Sequence, residues 1–140
     1  MPSFSLGESA SERVLVTVVR INPYESHDRW VSVHVSVRAG AFTGDYSSDF
    51  TAREITEFRD GLRLMYDSLQ GVARLATCEG QLQLDLSINP RGAISLDGTA
   101  VDRPGIGNTL KFHLELDQSY LPQTLSELDT ICSSLGKSAA

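Results

Sequence analysis

Trp30-Val31-Ser32-Val33-His34-Val35-Ser36-Val37-Arg38 is the stretch that decides the fold. Every second residue is a valine, and the residues between them are polar or, at Trp30, amphipathic. Successive side chains of a strand point to opposite faces, so the run reads as a strand with one dry and one wet side. The rhythm returns twice. Leu82, Leu84, Leu86 and Ile88 alternate with Gln81, Gln83, Asp85 and Ser87, and Leu110, Phe112, Leu114 and Leu116 with Lys111, His113, Glu115 and Asp117. Clean alternation marks antiparallel sheets with one face left to water. An open face suits the docking of a partner better than the enclosure of a reaction.

Working outward, Val14-Leu15-Val16-Thr17-Val18-Val19 is apolar on both faces and reads as a central or covered strand. Asn22 to Asp28 is a loop, because Pro23 pushes Asn22 out of helical geometry. Ala39-Gly40 ends the valine strand, and Phe42–Phe50 reads as a weaker strand carrying Asp45, Tyr46 and Asp49, with Gly44 as a bulge position. Thr51 and Glu54 have capping-box spacing. Ile55, Phe58, Leu62, Met65 and Leu69 then form one helical stripe, and Gly71 stands where a glycine cap is expected. Arg53, Glu57, Asp60, Arg63 and Asp67 mark the wet side of that helix.

Val72–Thr77 reads as a strand, turned at Glu79-Gly80 into the 81–88 strand. Asn89-Pro90-Arg91-Gly92 turns the chain into Ala93–Leu96, and either Asp97-Gly98 or the longer 102–109 stretch turns it toward the last strand. A second helix spans about Pro122–Ser133, with proline in the permitted first turn. Residues 1–11 and 134–140 read as loose ends. The expectation is an α+β domain over 1–140. Three strands, a helix, four strands and a helix build one antiparallel sheet of about seven strands, with both helices on one face.

The 140 residues are 41% hydrophobic and 21% charged, ordinary for one globular domain. No apolar stretch approaches the roughly 18 residues of a membrane helix. The first ten residues lack a basic and an apolar region of the secretory kind, so the expected compartment is the cytoplasm. A net charge of −6 and a pI near 4.9 argue against nucleic-acid binding. The same charge gives solubility, or complementarity to a basic partner. Cys78 and Cys132 read as buried free thiols without a disulfide framework.

Catalytic chemistry finds little support. His34 and His113 fall on wet strand faces and would be neighbours if their strands paired, but no Cys/His cluster accompanies them. Surface histidine is the simpler reading. No serine stands in a Gly-x-Ser-x-Gly elbow. Gly105-Ile106-Gly107 precedes a strand rather than the helix a phosphate loop requires. No catalytic residue, metal ligand or cofactor is expected.

Trp30 is the only tryptophan and falls on the wet side of its strand. Either the 22–29 loop covers it, or it is presented for binding. Leu15, Val19 and Trp30 would then form an apolar patch open to a second copy or to a foreign protein. The candidate protein-binding surface is Trp30, His34, Asp45, Asp49, Glu57 and Asp60.

The segment Phe112-His113-Leu114-Glu115-Leu116-Asp117-Gln118-Ser119-Tyr120-Leu121 resembles a recurrent ending of WapI-type bacterial immunity proteins. Trp30-Val31-x-Val33-x-Val35 and the helix ending Leu69-Gln70-Gly71 are similar in order and spacing, so the resemblance spans about Arg13–Leu128. It implies a cytoplasmic protein that neutralises a toxin's C-terminal domain by binding it, without catalysis. It supplies no invariant active site, and Asp117, Gln118 and Tyr120 are expected to stabilise the strand-to-helix corner. Alternatives are a self-associating accessory or structural domain and, third, a small-ligand binder, which would need a concave pocket.

Overall fold

The computed structural model describes residues 1–22 and 29–136. The chain runs β1 (Ser3–Ser9), β2 (Glu12–Ile21), β3 (Trp30–Ala39), β4 (Phe42–Thr51), α1 (Ala52–Ser68), β5 (Val72–Ala76), β6 (Leu82–Ile88), β7 (Ala93–Val101), β8 (Thr109–Asp117), one 3₁₀ turn (Gln118–Tyr120) and α2 (Leu121–Gly136). The α+β class stands, but the single sheet of about seven strands does not. Eight strands form two four-stranded antiparallel meanders, β1-β2-β3-β4 and β5-β6-β7-β8. The separation has a local cause. α1 follows β4 without a linker, and its 17 residues carry the chain about 25 Å away before β5 begins.

The extra strand is β1, within the segment expected to be loose. Phe4 and Leu6 alternate with Ser3, Ser5 and Gly7, and both apolar side chains are buried. The pairing with β2 slips between Leu6 and Ser9. Gly7 absorbs the slip at φ 98°, where a Cβ would come within 2.4 Å of the Glu12 carbonyl oxygen. α2 shields the open edge of β1, a protection that sheet edges require. The Ser5 amide donates to Glu127 Oε1 at 3.0 Å, and the Thr124 hydroxyl donates to the Ser5 carbonyl at 2.7 Å.

The dry faces of both sheets and the stripes of both helices share one core. Val31, Val33, Val35 and Val37 are all buried, each contributing about 1.5–3 kcal/mol before chain entropy is charged. Ile55, Phe58, Leu62 and Met65 of α1 enter the same core, and the Phe58 ring lies 6.0 Å from that of Phe4. The capping box at Thr51 and Glu54 forms as expected, and the second Glu54 oxygen accepts the Cys78 amide at 2.7 Å. The helix ends earlier than the glycine suggested. Leu69 takes the left-handed cap at φ 53°, and Gly71 follows at φ 93°.

α2 continues past Ser133, and Leu135 is buried, so that part of the expected loose tail is helical. Arg29, itself buried, donates from Nη1 to the Leu135 carbonyl at 2.8 Å and satisfies an orphan of the last turn. Cys78 is exposed and Cys132 half-buried, so the expectation of two buried thiols fails at Cys78, which lies in the β5–β6 turn. No helix among the described residues is long and apolar enough to cross a membrane.

Candidate protein-docking surface

Each sheet keeps its second face toward water, as the alternation required. On the first sheet, the register sets Thr17 beside His34 and Ser47, Leu15 beside Ser36 and Asp45, and Ser32 beside Asp49. Trp30 begins β3 on this face, opposite Thr51, and is 38% exposed. Val19 is 49% exposed at the β2 bulge, where pairing with β3 slips between Val18 and Arg20. A bulge turns a side chain out of the regular ladder, here an aliphatic one. Of the 22–29 loop, whose covering of Trp30 was one of the two readings, residues 23–28 lie outside the described residues.

Four of the six residues singled out from sequence meet on this face. His34 Nε2 lies 3.4 Å from Asp45 Oδ1, and the Ser32 hydroxyl donates to Asp49 Oδ1 at 3.0 Å. Glu57 and Asp60 do not join them. Both belong to α1, which packs against the dry side of the sheets, and Asp60 pairs with Arg59 at 3.0 Å. Asp45 and Asp49 therefore belong to one surface and Glu57 and Asp60 to another, because the chain passes from an outer sheet face to a helix at Thr51.

At the foot of the first sheet lies a cleft of about 430 Å³ that sequence reasoning missed. Val19, Ser32, Ser47 and Asp49 form one wall, and Glu79, Asp102, Arg103 and Pro104 from the turns of the second sheet form the other. Its floor is Gln81. The β6 alternation assigned Gln81 to the wet face, yet it is only 4% exposed. Its amide nitrogen donates to the carbonyls of Ser47 (3.4 Å), Val101 (3.2 Å) and Asp102 (3.2 Å), and its Oε1 accepts the Ser48 hydroxyl at 2.9 Å. The Tyr46 hydroxyl donates to the Gln81 carbonyl at 2.5 Å, and burial pushes that phenol far above its ordinary pKa. No local sequence signal announces this role, because it arises only where one sheet abuts the other.

The wet face of the second sheet carries a row of charges. Arg74, Asp85, Asp97 and His113 stand opposite one another in turn across β5–β8. Arg74 Nε holds Asp85 at 2.5 Å, and His113 Nδ1 holds Asp97 at 2.8 Å. Glu115 engages His113 Nε2 and accepts the Ser95 hydroxyl at 3.2 Å. Hydrogen bonds to Asp97, then to Glu115, raise the His113 pKa above its ordinary value. His34 and His113 are thus in different sheets, and the neighbourhood that a shared metal site would need does not form. No cluster of metal-ligating side chains occurs among the described residues.

The strand-to-helix corner is held locally. Asp117 Oδ2 accepts the Ser119 amide at 3.1 Å and also engages its hydroxyl, and these bonds lower the Asp117 pKa. The Gln118 amide donates to the Gly92 carbonyl at 3.0 Å, while Tyr120 is half exposed.

With β1 to α2 in place, one comparison is decisive: the family described as immunity protein WapI-like matches residues 5–136. The chain belongs to the WapI-like immunity protein family. The match takes in β1 from Ser5 and the whole of α2, and so extends beyond the Arg13–Leu128 span legible from the sequence motifs. No curated protein matches this WapI-like chain. Among solved structures, one described as crystal structures of Trypanosoma bruciei MRP1/MRP2 aligns with 97% of this chain and 88% of that one, at 16% identity and a TM-score of 0.47.

Proposed function

We propose that this WapI-like protein neutralises a bacterial toxin domain by binding it directly in the cytoplasm, without catalysis, through the outer face of its first sheet. Membership of the immunity family carries the reading. The face supplies what such docking needs. Trp30 stands partly exposed on a rigid strand rather than in the core, and exposed aromatic side chains are frequent energetic centres of interfaces. Asp49, His34 and Asp45 follow at increasing distance along the same face and add polar groups suited to a rim. The net charge of −6 would speed encounter with a basic toxin.

The test is co-expression with the polymorphic toxin domain encoded beside this chain. Neutralisation and co-purification are expected, and Trp30→Ala should weaken capture by about thirtyfold or more, the loss typical of an interface centre. A toxin that stays lethal beside the folded wild type overturns the reading. If capture survives Trp30→Ala undiminished, the docking face lies elsewhere. A wild type that sediments as a dimer, and as a monomer after Val19→Asp, would instead assign the face to self-association.

A further inference from the structure

We propose that Arg29 is the positioning residue of the docking face: by tying the start of β3 to the last turn of α2, it holds Trp30 in the orientation a partner meets. The inference rests on the docking reading for the use made of Trp30, though not for the tie itself.

Three observations converge. First, Arg29 is a buried cation whose partners among the described residues are backbone carbonyls. It is 7% exposed, with Nε donating to the Asn22 carbonyl at 3.0 Å and Nη1 to the Leu135 carbonyl at 2.8 Å. Taking a guanidinium out of water is costly unless its donors are met, and here two fixed acceptors meet them. The cation also suits the negative end of the 16-residue helix α2. An aliphatic side chain could fill the same space, but it would leave both carbonyls without this donor.

Second, four elements converge on this one residue. Asn22 follows β2, and its amide donates to the Trp30 carbonyl at 2.9 Å. The Arg29 carbonyl accepts the amide of Ala52, the first residue of α1, at 2.8 Å. The side chain then adds the end of α2. The ends of two strands, the start of one helix and the finish of the other are thereby fixed to one another.

Third, strand geometry turns that anchor into an orientation. Arg29 and Val31 are buried on the dry side, and Trp30 between them is 38% exposed on the wet side. Successive side chains of an extended chain alternate, so a side chain clamped inward at 29 sends the next one outward at 30. Trp30 is also the first residue of β3, and strand ends are where a ladder opens most readily. Without the clamp the indole samples orientations that a partner cannot use, which lowers the binding-competent fraction of the protein.

Trp30 is the only tryptophan, so its fluorescence reads the tie directly. The experiment compares wild type with Arg29→Met, which keeps a long stem and loses every donor. A chain ending at Ser134, which lacks the Leu135 acceptor, is measured beside them. Indole anisotropy and capture of the toxin domain are recorded at temperatures where circular dichroism shows each protein folded. Both changes are expected to lower the anisotropy and to weaken capture by about tenfold, the loss that follows when the competent orientation is populated a tenth of the time. Arg29→Lys, a point charge without the planar fork, should fall between. Gly98→Ala, in the second sheet, controls for lost stability and should leave both readings unchanged.

Wild-type anisotropy and capture in folded Arg29→Met overturn the proposal, and so do equal losses in Gly98→Ala. Should Arg29→Met not fold, Arg29→Lys and the shortened chain decide by the same readings. If the anisotropy falls as expected while the toxin domain ignores wild type, the tie stands and the docking reading falls. If Trp30→Ala weakens capture while Arg29→Met does not, the docking reading stands and the tie falls.

Discussion

His113 shows how much a single exposed residue can depend on its cross-strand neighbours. Its imidazole lies between Asp97 and Glu115, while Asp85 stands beyond Asp97 and is neutralised by Arg74. Lys111, two residues away on β8, lies on the same face. The folded pKa is raised above the ordinary 6.5. Stability from the protonated ring is thus fully present below about pH 6.5 and is lost as pH rises through the folded value. The stability gap between wild type and His113→Gln should be widest in mild acid and close toward alkaline pH, as urea denaturation across pH will measure. Exposure keeps the effect small, and added salt should shrink it further.

Gly98 makes the opposite point, since here an absent atom matters. It pairs with Phe112 across β7 and β8, and a Cβ on Gly98 would fall 2.1 Å from the Phe112 ring. The ring covers backbone that would otherwise lack a side-chain neighbour on the dry face. Gly98→Ala should therefore destabilise by about 1–3 kcal/mol through overpacking, measured by chemical denaturation, despite the better strand propensity of alanine. Sequence showed a glycine before a threonine and suggested a turn at Asp97-Gly98. The structure instead runs β7 straight through both.

At the scale of elements, capping chemistry was readable and end points were not. Thr51 and Glu54 announced α1, and both reciprocal bonds are present. Thr51→Ala should cost about 1 kcal/mol, detectable as a lowered denaturation midpoint with unchanged slope. The helix stop is not fixed by Gly71, because Leu69 takes the left-handed position two residues earlier. β1 was missed for a compositional reason. Serine and glycine dominate the first eleven residues, and only Phe4 and Leu6 betray the alternation. Two apolar positions are too few to stand out, yet pairing with β2 and shielding by α2 make the segment a strand.

Across the whole molecule, the joint between the two sheets governs where the candidate surface ends. Gln81 ties the carbonyl of Ser47 and the hydroxyl of Ser48 on β4 to the end of β7. Gln81→Leu leaves the Ser48 hydroxyl and several carbonyls without that partner. Destabilisation of about 1–3 kcal/mol is expected, with weakened protection of β4 and β7 amides in hydrogen exchange. The same substitution should perturb the adjoining cleft, whereas Glu57 and Asp60 on α1 lie away from it.

The amino-acid order by itself determined the strands with clean alternation, the amphipathic stripes, the capping box and the existence of open faces. Each of these depends on neighbours within a few residues, where backbone geometry alone fixes which side a residue takes. Tertiary structure decided the rest. Whether two meanders join edge to edge or face each other depends on how buried area is best satisfied across the whole chain. That choice placed His34 and His113 in separate sheets, separated Glu57 and Asp60 from Trp30, and buried Gln81 at the joint. The cleft belongs to the same class of fact, since its two walls lie about thirty to eighty-five residues apart in sequence, and only long-range packing brings them together.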